Sequence, residues 1–216
     1  MLKIYKKFSA VKRYSVDSRS IGERSLKNIA LRYLSCLDEP EWLSLALYQF
    51  EKAANMTDRL SSLALLCDRG VPEKTMALRE FYEKWKHDPL VMNKWFAVQA
   101  SAKKGDVLAE VLRLEKDPAF DRKNPNKQRA LYGVFAGNLV HFHERSGKGY
   151  AFMAEKVLEI DQFNPGAAAK LAGAFKKYSQ LDPPRKVLMK RELQRILKTP
   201  GLSRHVYEII SKTLKA

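Results

Sequence analysis

Along most of the chain apolar residues return every third or fourth position, the spacing that gathers them on one side of an α-helix, and no stretch shows the alternation a half-buried strand needs. After residue 20 the pattern is clear. Ser20-Ile21-Gly22-Glu23 has the form of a capping box, in which the Ser oxygen accepts from an early amide and Glu reaches back to the cap. Leu26, Ile29, Ala30, Tyr33, Leu34 and Leu37 follow as one apolar face. Residues 1–19 mix apolar and basic positions without a period and read as a basic leader or severed linker ahead of a helical domain over 20–216.

Proline supplies the punctuation, because in a first helical turn its missing N–H would have no partner anyway. Seven of the nine prolines (Pro40, Pro72, Pro89, Pro125, Pro165, Pro183 and Pro184) fit such starts. Asp88, Asn124, Asn164 and Asp182 stand just before four of them and offer N-cap oxygens. Asn55 and Thr57 can cap a further helix that stops at Gly70. The predicted helices are 20–37, 40–53, 57–69, 72–86, 89–103, 105–116, 125–137, 148–160, 165–179, 183–198 and 202–214. Alternate helices start 32 to 40 residues apart, the helix-pair period of HEAT or armadillo arrays. The fold class this predicts is all-α, an irregular right-handed α-solenoid of helix pairs; a compact orthogonal bundle is the other arrangement such helices allow.

Charge changes the picture at the two ends. The 216 residues carry a formal charge of +16. Residues 1–32 contribute +7 and residues 170–216 contribute +9, from twelve Lys/Arg and three acids, so the middle is neutral. A stripe of basic residues through the body, the usual footprint of a phosphate-tracking surface, is missing, so the terminal excess reads first as a solvated surface. With 45% hydrophobic residues the chain has material for a core, which rules out intrinsic disorder. No run approaches the roughly 20 apolar residues of a membrane span, and no secretory signal opens the chain. The two cysteines, Cys36 and Cys67, form no CxxC pair. A soluble protein of a reducing compartment, the cytoplasm, is expected, with no membrane partner.

Searches for catalytic patterns find no HExxH, GxSxG, GxxxxGK[ST] or GxGxxG. No catalytic residue and no metal ligand is therefore assigned. His141 and His143 lie two apart, without the i, i+4 spacing that chelates, and read as loop or core residues. Trp85, Trp95 and Phe96 could stack on bases, but apolar neighbours at helical spacing favour a core role. One pair of segments suggests a binding site. Asn124-Pro125-Asn126-Lys127-Gln128-Arg129 and Asn164-Pro165-Gly166-Ala167-Ala168-Ala169-Lys170 are Asn-capped, Pro-initiated helices 40 residues apart, each with a cation in its second turn. In a solenoid they should lie side by side, and two positive helix ends with Arg129 and Lys170 would suit a carboxylate or another anion. The plainer alternative, ordinary solvent-facing cations near helix starts, is the one spacing alone favours.

Five segments then carry a resemblance: NMTDRLSSLALL (55–66), LVMNKWFAVQA (90–100), NPNKQRALYGVFAGN (124–138), FHERSGKGYAF (142–152) and NPGAAAKLAGAF (164–175). In order and spacing they resemble the C-terminal helical domain of bacterial aminopeptidase N, the alanyl aminopeptidase branch of the M1 zinc metallopeptidases, from about residue 20 to the end. The resemblance implies an irregular α-solenoid packed over a zinc domain elsewhere, serving as lid and substrate-channel wall. It implies peptide or carboxylate contacts from Arg129, with Asn124 and Asn126 in the same motif, and from Lys170 where family members can carry arginine. Lysine there keeps the charge and loses the bidentate fork. Neither HExxH nor the family's GxMEN segment occurs, so no cofactor is expected in this chain, and the zinc belongs to the parent enzyme's catalytic domain. The expected partners are that enzyme's other domains and, in the intact enzyme, peptide substrates. Two alternatives stand beside this reading. One is a free-standing basic repeat binding an acidic protein or, less expected from the charge distribution, nucleic acid. The other is a fragment that self-associates through an inherited docking face.

Overall fold

Helices start where the chain offers a side-chain oxygen to the orphan amides of a first turn. The computed structural model describes residues 1–10, 13–37 and 39–215; among them there are helices and turns and no strand. No helix among the described residues is long and apolar enough to cross a membrane. The chain divides into two units, Met1–Val98 and Gln99–Ala216.

The first unit contains α1 (Leu2–Lys7), α2 (Ser18–Leu34), α3 (Pro40–Lys52), α4 (Met56–Arg69), α5 (Glu73–Trp85) and most of α6 (Pro89–Ala100). Helix α1 was not expected from the pattern; it packs on α2 and buries Tyr5. Helix α2 also differs from its prediction at both its start and its inward face. Its cap is Asp17, whose Oδ1 accepts from Ser20 N at 2.9 Å, so Ser20 lies inside the first turn and Glu23 pairs with Arg19 instead of closing a box. Inward lie Ala30, Leu31 and Leu34, while Leu26, Ile29, Tyr33 and Leu37 are exposed.

The physical reason is a polar network that must be met. Asp58 of α4 is buried, and its carboxylate accepts from Lys27 Nζ at 2.5 Å, Asn28 Nδ2 at 2.8 Å and Asn55 Nδ2 at 2.9 Å. Turning Lys27 and Asn28 to α4 carries the predicted stripe outward. Unpaired, that carboxylate would cost more than a half-exposed Leu or Tyr stands to gain by burial. Asn55 Oδ1 also caps α4 by accepting from Asp58 N at 3.0 Å, so the NMTD run is a helix start and a buried charge site at once.

The second unit holds α7 (Val107–Leu114), α8 (Pro125–Gln128), a π-helical segment (Arg129–Gly133), α9 (Val134–Gly137), α10 (Leu139–Phe142), α11 (Lys148–Asp161), α12 (Pro165–Ala172), a 3-10 segment (Gly173–Gln180), α13 (Pro183–Leu197) and α14 (Arg204–Lys215). Its core stacks Tyr150, Met153 and Val157 of α11 against α12 and α13, with Ile210 of α14 closing the layer. Phe135, Phe142, Phe152 and Phe175 meet there; Phe135 and Phe152 stand edge to face at 5.6 Å, the arrangement the ring quadrupole prefers. Each fully buried Phe contributes about 1.5–3 kcal/mol by area.

Asn138, unassigned in the sequence reading, is an organising residue of this unit. Its Oδ1 caps α10, and its Nδ2 donates to Ala100 O at 3.1 Å and Ala102 O at 2.8 Å.

Close approach of α11 to α10 depends on Gly149, where a Cβ would lie 2.6 Å from Phe142 O. Gly149→Ala is expected to lower stability by about 1–3 kcal/mol, as overpacking against backbone does, despite the better helix propensity of Ala. The denaturant midpoint checks this; an unchanged or raised midpoint would show that α10 yields freely.

Candidate functional site: a cationic groove in the second unit

The two predicted Asn-Pro starts are both present in the second unit. Asn124 Oδ1 accepts from Asn126 N at 2.9 Å, and Asn164 Oδ1 accepts from Ala167 N at 3.0 Å. These caps occupy first-turn amides, and α8 is a single turn before the π segment begins. The expected pair of open helix ends is therefore not what the structure offers. The cations themselves remain.

Arg129 opens the π segment with its side chain exposed, and Asn126 Oδ1 accepts from its Nη2 at 3.2 Å. The arginine stem runs past Gly133, whose missing Cβ would meet Arg129 Cγ at 3.6 Å. Gly133 and Lys170 in turn line one groove of about 330 Å³, and α12 packs against the π segment. The structure thus brings Asn124, Asn126 and Arg129 into one chain of contacts and sets Lys170 in the groove beside the same segment.

That groove contains more than the sequence reading assigned. Small residues line it, with Gly133, Ala136 and Gly137 on one side and Gly173 and Ala174 on the other, beside Leu139 and Leu171. Lys176, Lys177 and His143 join Lys170 around it, and among the described residues no carboxylate lines it. It runs between the end of the π segment with α9 on one side and the end of α12 with the eight-residue 3-10 segment on the other. Both are uncommon helical forms, and π segments in particular concentrate at functional sites. Period analysis could not detect this, since it treats 125–137 and 165–179 as uniform α-helix.

His143 is held against a buried phenol. Burial pushes the phenol of Tyr150 up to about 12, so the hydroxyl keeps its proton at neutral pH. That hydroxyl lies 2.8 Å from His143 Nδ1. When Nδ1 accepts from that hydroxyl, the ring proton of the neutral imidazole sits on Nε2. Burial lowers the His143 pKa, and the nearby charges of Lys177 and Arg185 lower it further, favouring this neutral donor form.

The other aromatic candidates are core residues. Trp95 and Phe96 are buried, and Trp95 Nε1 donates to Leu78 O at 3.0 Å. Among the described residues no three His, Cys, Asp or Glu side chains gather as metal ligands, and His141 Nε2 lies against Lys103 O at 3.1 Å.

Comparison with known proteins gives a consistent result. Residues 1–215 match the family described as a domain of unknown function (DUF3458_C) with ARM repeats. This agrees with the all-α helix-pair solenoid class, and the match takes in the first nineteen residues. Aminopeptidase N of Caulobacter vibrioides is 39% identical over 202 residues, which are 93% of this chain and 23% of that protein. The Haemophilus influenzae enzyme of the same name is 36% identical over 94% of this chain and 23% of its own length. Among solved structures, Legionella pneumophila aminopeptidase A in complex with aspartic acid superposes with a TM-score of 0.89 at 32% identity, covering 99% of this chain and 26% of that one. The chain spans about a quarter of the length of the relatives it matches, corresponding to their C-terminal part.

Proposed function

The chain belongs to the DUF3458_C ARM-repeat family, and from that membership we propose that it is the non-catalytic C-terminal domain of an M1 aminopeptidase N. In this reading it forms the lid and substrate-channel wall over a zinc site carried by a separate catalytic domain, which hydrolyses the first peptide bond of its substrates. The zinc, supplied by that other domain, activates the attacking water. This chain's residues bind and orient. Arg129, steadied by Asn126, and Lys170 face the downstream part of the peptide, and the partners are the enzyme's other domains in the cytoplasm.

The observation that carries the reading is the match, at 34–39% identity, of nearly the whole chain to the C-terminal part of three enzymes called aminopeptidase N. Exposed Arg129 and Lys170 near one groove give it a chemical form.

The test reconstitutes the chain with the catalytic portion of its enzyme. Arg129→Ala with Lys170→Ala is expected to reduce kcat/KM for a tetrapeptide by at least about tenfold, the factor of one lost charge-assisted contact. Turnover of an alanyl amide reporter, which has no downstream residues, should change by less than about twofold, as expected for contacts it never makes. Equal losses on both substrates would remove the channel role, and chelator-sensitive turnover by the 216-residue chain alone would overturn the non-catalytic reading.

A further inference from the structure

The polar network around Asp58 fixes more than the pose of α2. Asn28 gives its Nδ2 to the Asp58 carboxylate, so its Oδ1 is turned to Gln49 of α3, whose Nε2 donates to it at 2.8 Å. The same Nε2 reaches Ser62 Oγ at 2.9 Å and the Asp58 carbonyl at 3.2 Å. Turning the Gln49 amide over would set its oxygen against Asn28 Oδ1 and Asp58 O, which only accept, so its orientation is settled by its neighbours. The consequence falls on Gln49 Oε1. Gln49 is 6% exposed, and its Oε1 is buried with no hydrogen-bond partner, a state that opposes folding until a donor meets it.

Gln49 lines a cavity of about 180 Å³ bounded, within the first unit, by α1, the first half of α2, the end of α3 and the start of α4. With Nε2 committed to α2 and α4, Oε1 is the polar atom this side chain has left for the cavity. Four rings, Tyr5, Phe8, Tyr14 and Tyr48, also line it. Its two acids are already held, Asp58 by Lys27, Asn28 and Asn55, and Glu23 by Arg19. Arg13, Arg24 and Lys52 are then its surplus charge. The Arg24 guanidinium lies over the Tyr14 ring at 4.9 Å and donates from Nη1 to Ser15 O at 2.8 Å.

These features select one ligand chemistry. Gln49 Oε1 requires an N–H or O–H donor, the rings favour a flat apolar body, and the surplus cations favour an anion. Water answers only the first of these, and an inorganic anion only the last. Size sets the limit: a cavity of about 150 Å³ takes up benzene, so this one suits a single ring with small substituents and is too small for a nucleotide.

We propose that this cavity binds a small aromatic carboxylate with an N–H donor on the far side of its ring, an acid of the aminobenzoate kind. The amino group donates to Gln49 Oε1, the ring lies among the tyrosines, and the carboxylate meets Arg13, Arg24 and Lys52. The site belongs to the first unit, whereas Arg129 and Lys170 belong to the second, and it does not rest on the channel-wall reading.

The experiment titrates the whole chain at low salt with para-aminobenzoate, benzoate and aniline, read by calorimetry. The aminobenzoate is expected to bind at least about tenfold tighter than aniline, which lacks the acid, and at least about fivefold tighter than benzoate, which lacks the donor, the factors of one charge-assisted contact and one neutral hydrogen bond. In isotopically labelled protein the side-chain amide resonances of Gln49 should move as it binds. Ala54→Trp, at an exposed position of the lining, should plug the cavity and abolish binding. Arg13→Gln with Lys52→Gln should remove most of the advantage over aniline, and Lys198→Gln with Lys215→Gln, the same change in net charge in the second unit, should keep it. Equal affinity for the three compounds, binding that survives Ala54→Trp, an advantage indifferent to Arg13 and Lys52, or a Gln49 amide that does not respond would each overturn the assignment. So would the absence of saturable binding, which would leave ordered water as the partner of Gln49. The assay contains no catalytic domain, so its failure and that of the reconstitution are separate results.

Discussion

Lys156→Ala is expected to destabilise the protein by about 3–5 kcal/mol, the range for removing one partner of a buried ion pair. Lys156 Nζ lies 2.8 Å from Glu115 Oε1 and 3.0 Å from Glu159 Oε2, and the Lys156 and Glu115 side chains are only 6% and 5% exposed. Tyr132, itself buried, donates its hydroxyl to the same Glu115 oxygen at 2.6 Å. Burial works against the Lys156 ammonium, but the bonds to Glu115 and Glu159 outweigh it and hold the group above its ordinary pKa. Alanine would leave the buried Glu115 carboxylate with the Tyr132 phenol as its remaining close partner among the described residues. The contrast is the triple change Lys156→Met, Glu115→Leu, Tyr132→Phe, which removes the three buried polar members together and leaves Glu159, which is partly exposed, to Arg122. It should recover most of the loss, because an apolar replacement of similar volume leaves nothing unsatisfied. Chemical denaturation of the two variants decides: equal losses would mean that packing around Lys156, and not the stranded carboxylate, carries the effect.

The second large effect belongs to the first unit. Asp58→Ala should also cost about 3–5 kcal/mol, since it strands Lys27, whose side chain is 12% exposed, together with the amides of Asn28 and Asn55. Asp58→Asn keeps the size and an acceptor oxygen while losing the charge, so its cost should be clearly smaller. Thermal unfolding of both variants checks the order. An Asn variant as damaged as the Ala variant would show that shape at this position, and not hydrogen-bond acceptance, is what α2 requires.

These two networks also mark the limit of what the sequence disclosed. Helix starts were legible because capping is local: Asp88 caps through Leu90 N and Val91 N, and Asp182 through Arg185 N, as the Asp-Pro dipeptides announce. Inward faces were less legible. The apolar stripe Leu26, Ile29, Tyr33, Leu37 faces out because Lys27 and Asn28 answer a carboxylate 30 residues away, and period analysis assigns no inward preference to lysine. The groove was half legible. Lys170 and Arg129 followed from their motifs, but Lys176, Lys177 and His143 come together only through the 3-10 turn and the α10–α11 corner, which carry no periodic signal.

The π segment is a phase shifter within its rod. Ala130, Leu131 and Tyr132 are all buried in succession, and Phe135 beyond them is fully buried as well, while Arg129 stays in solvent. A regular helix advances about 100° per residue, so trimming one residue from 129–133 would rotate everything after it by that angle relative to Arg129. Either Phe135 would leave its aromatic partners or the guanidinium would swing from its Asn126 perch. The surplus residue therefore acts as a gear tooth, letting one rod keep a charged end and a greasy end correctly indexed to each other.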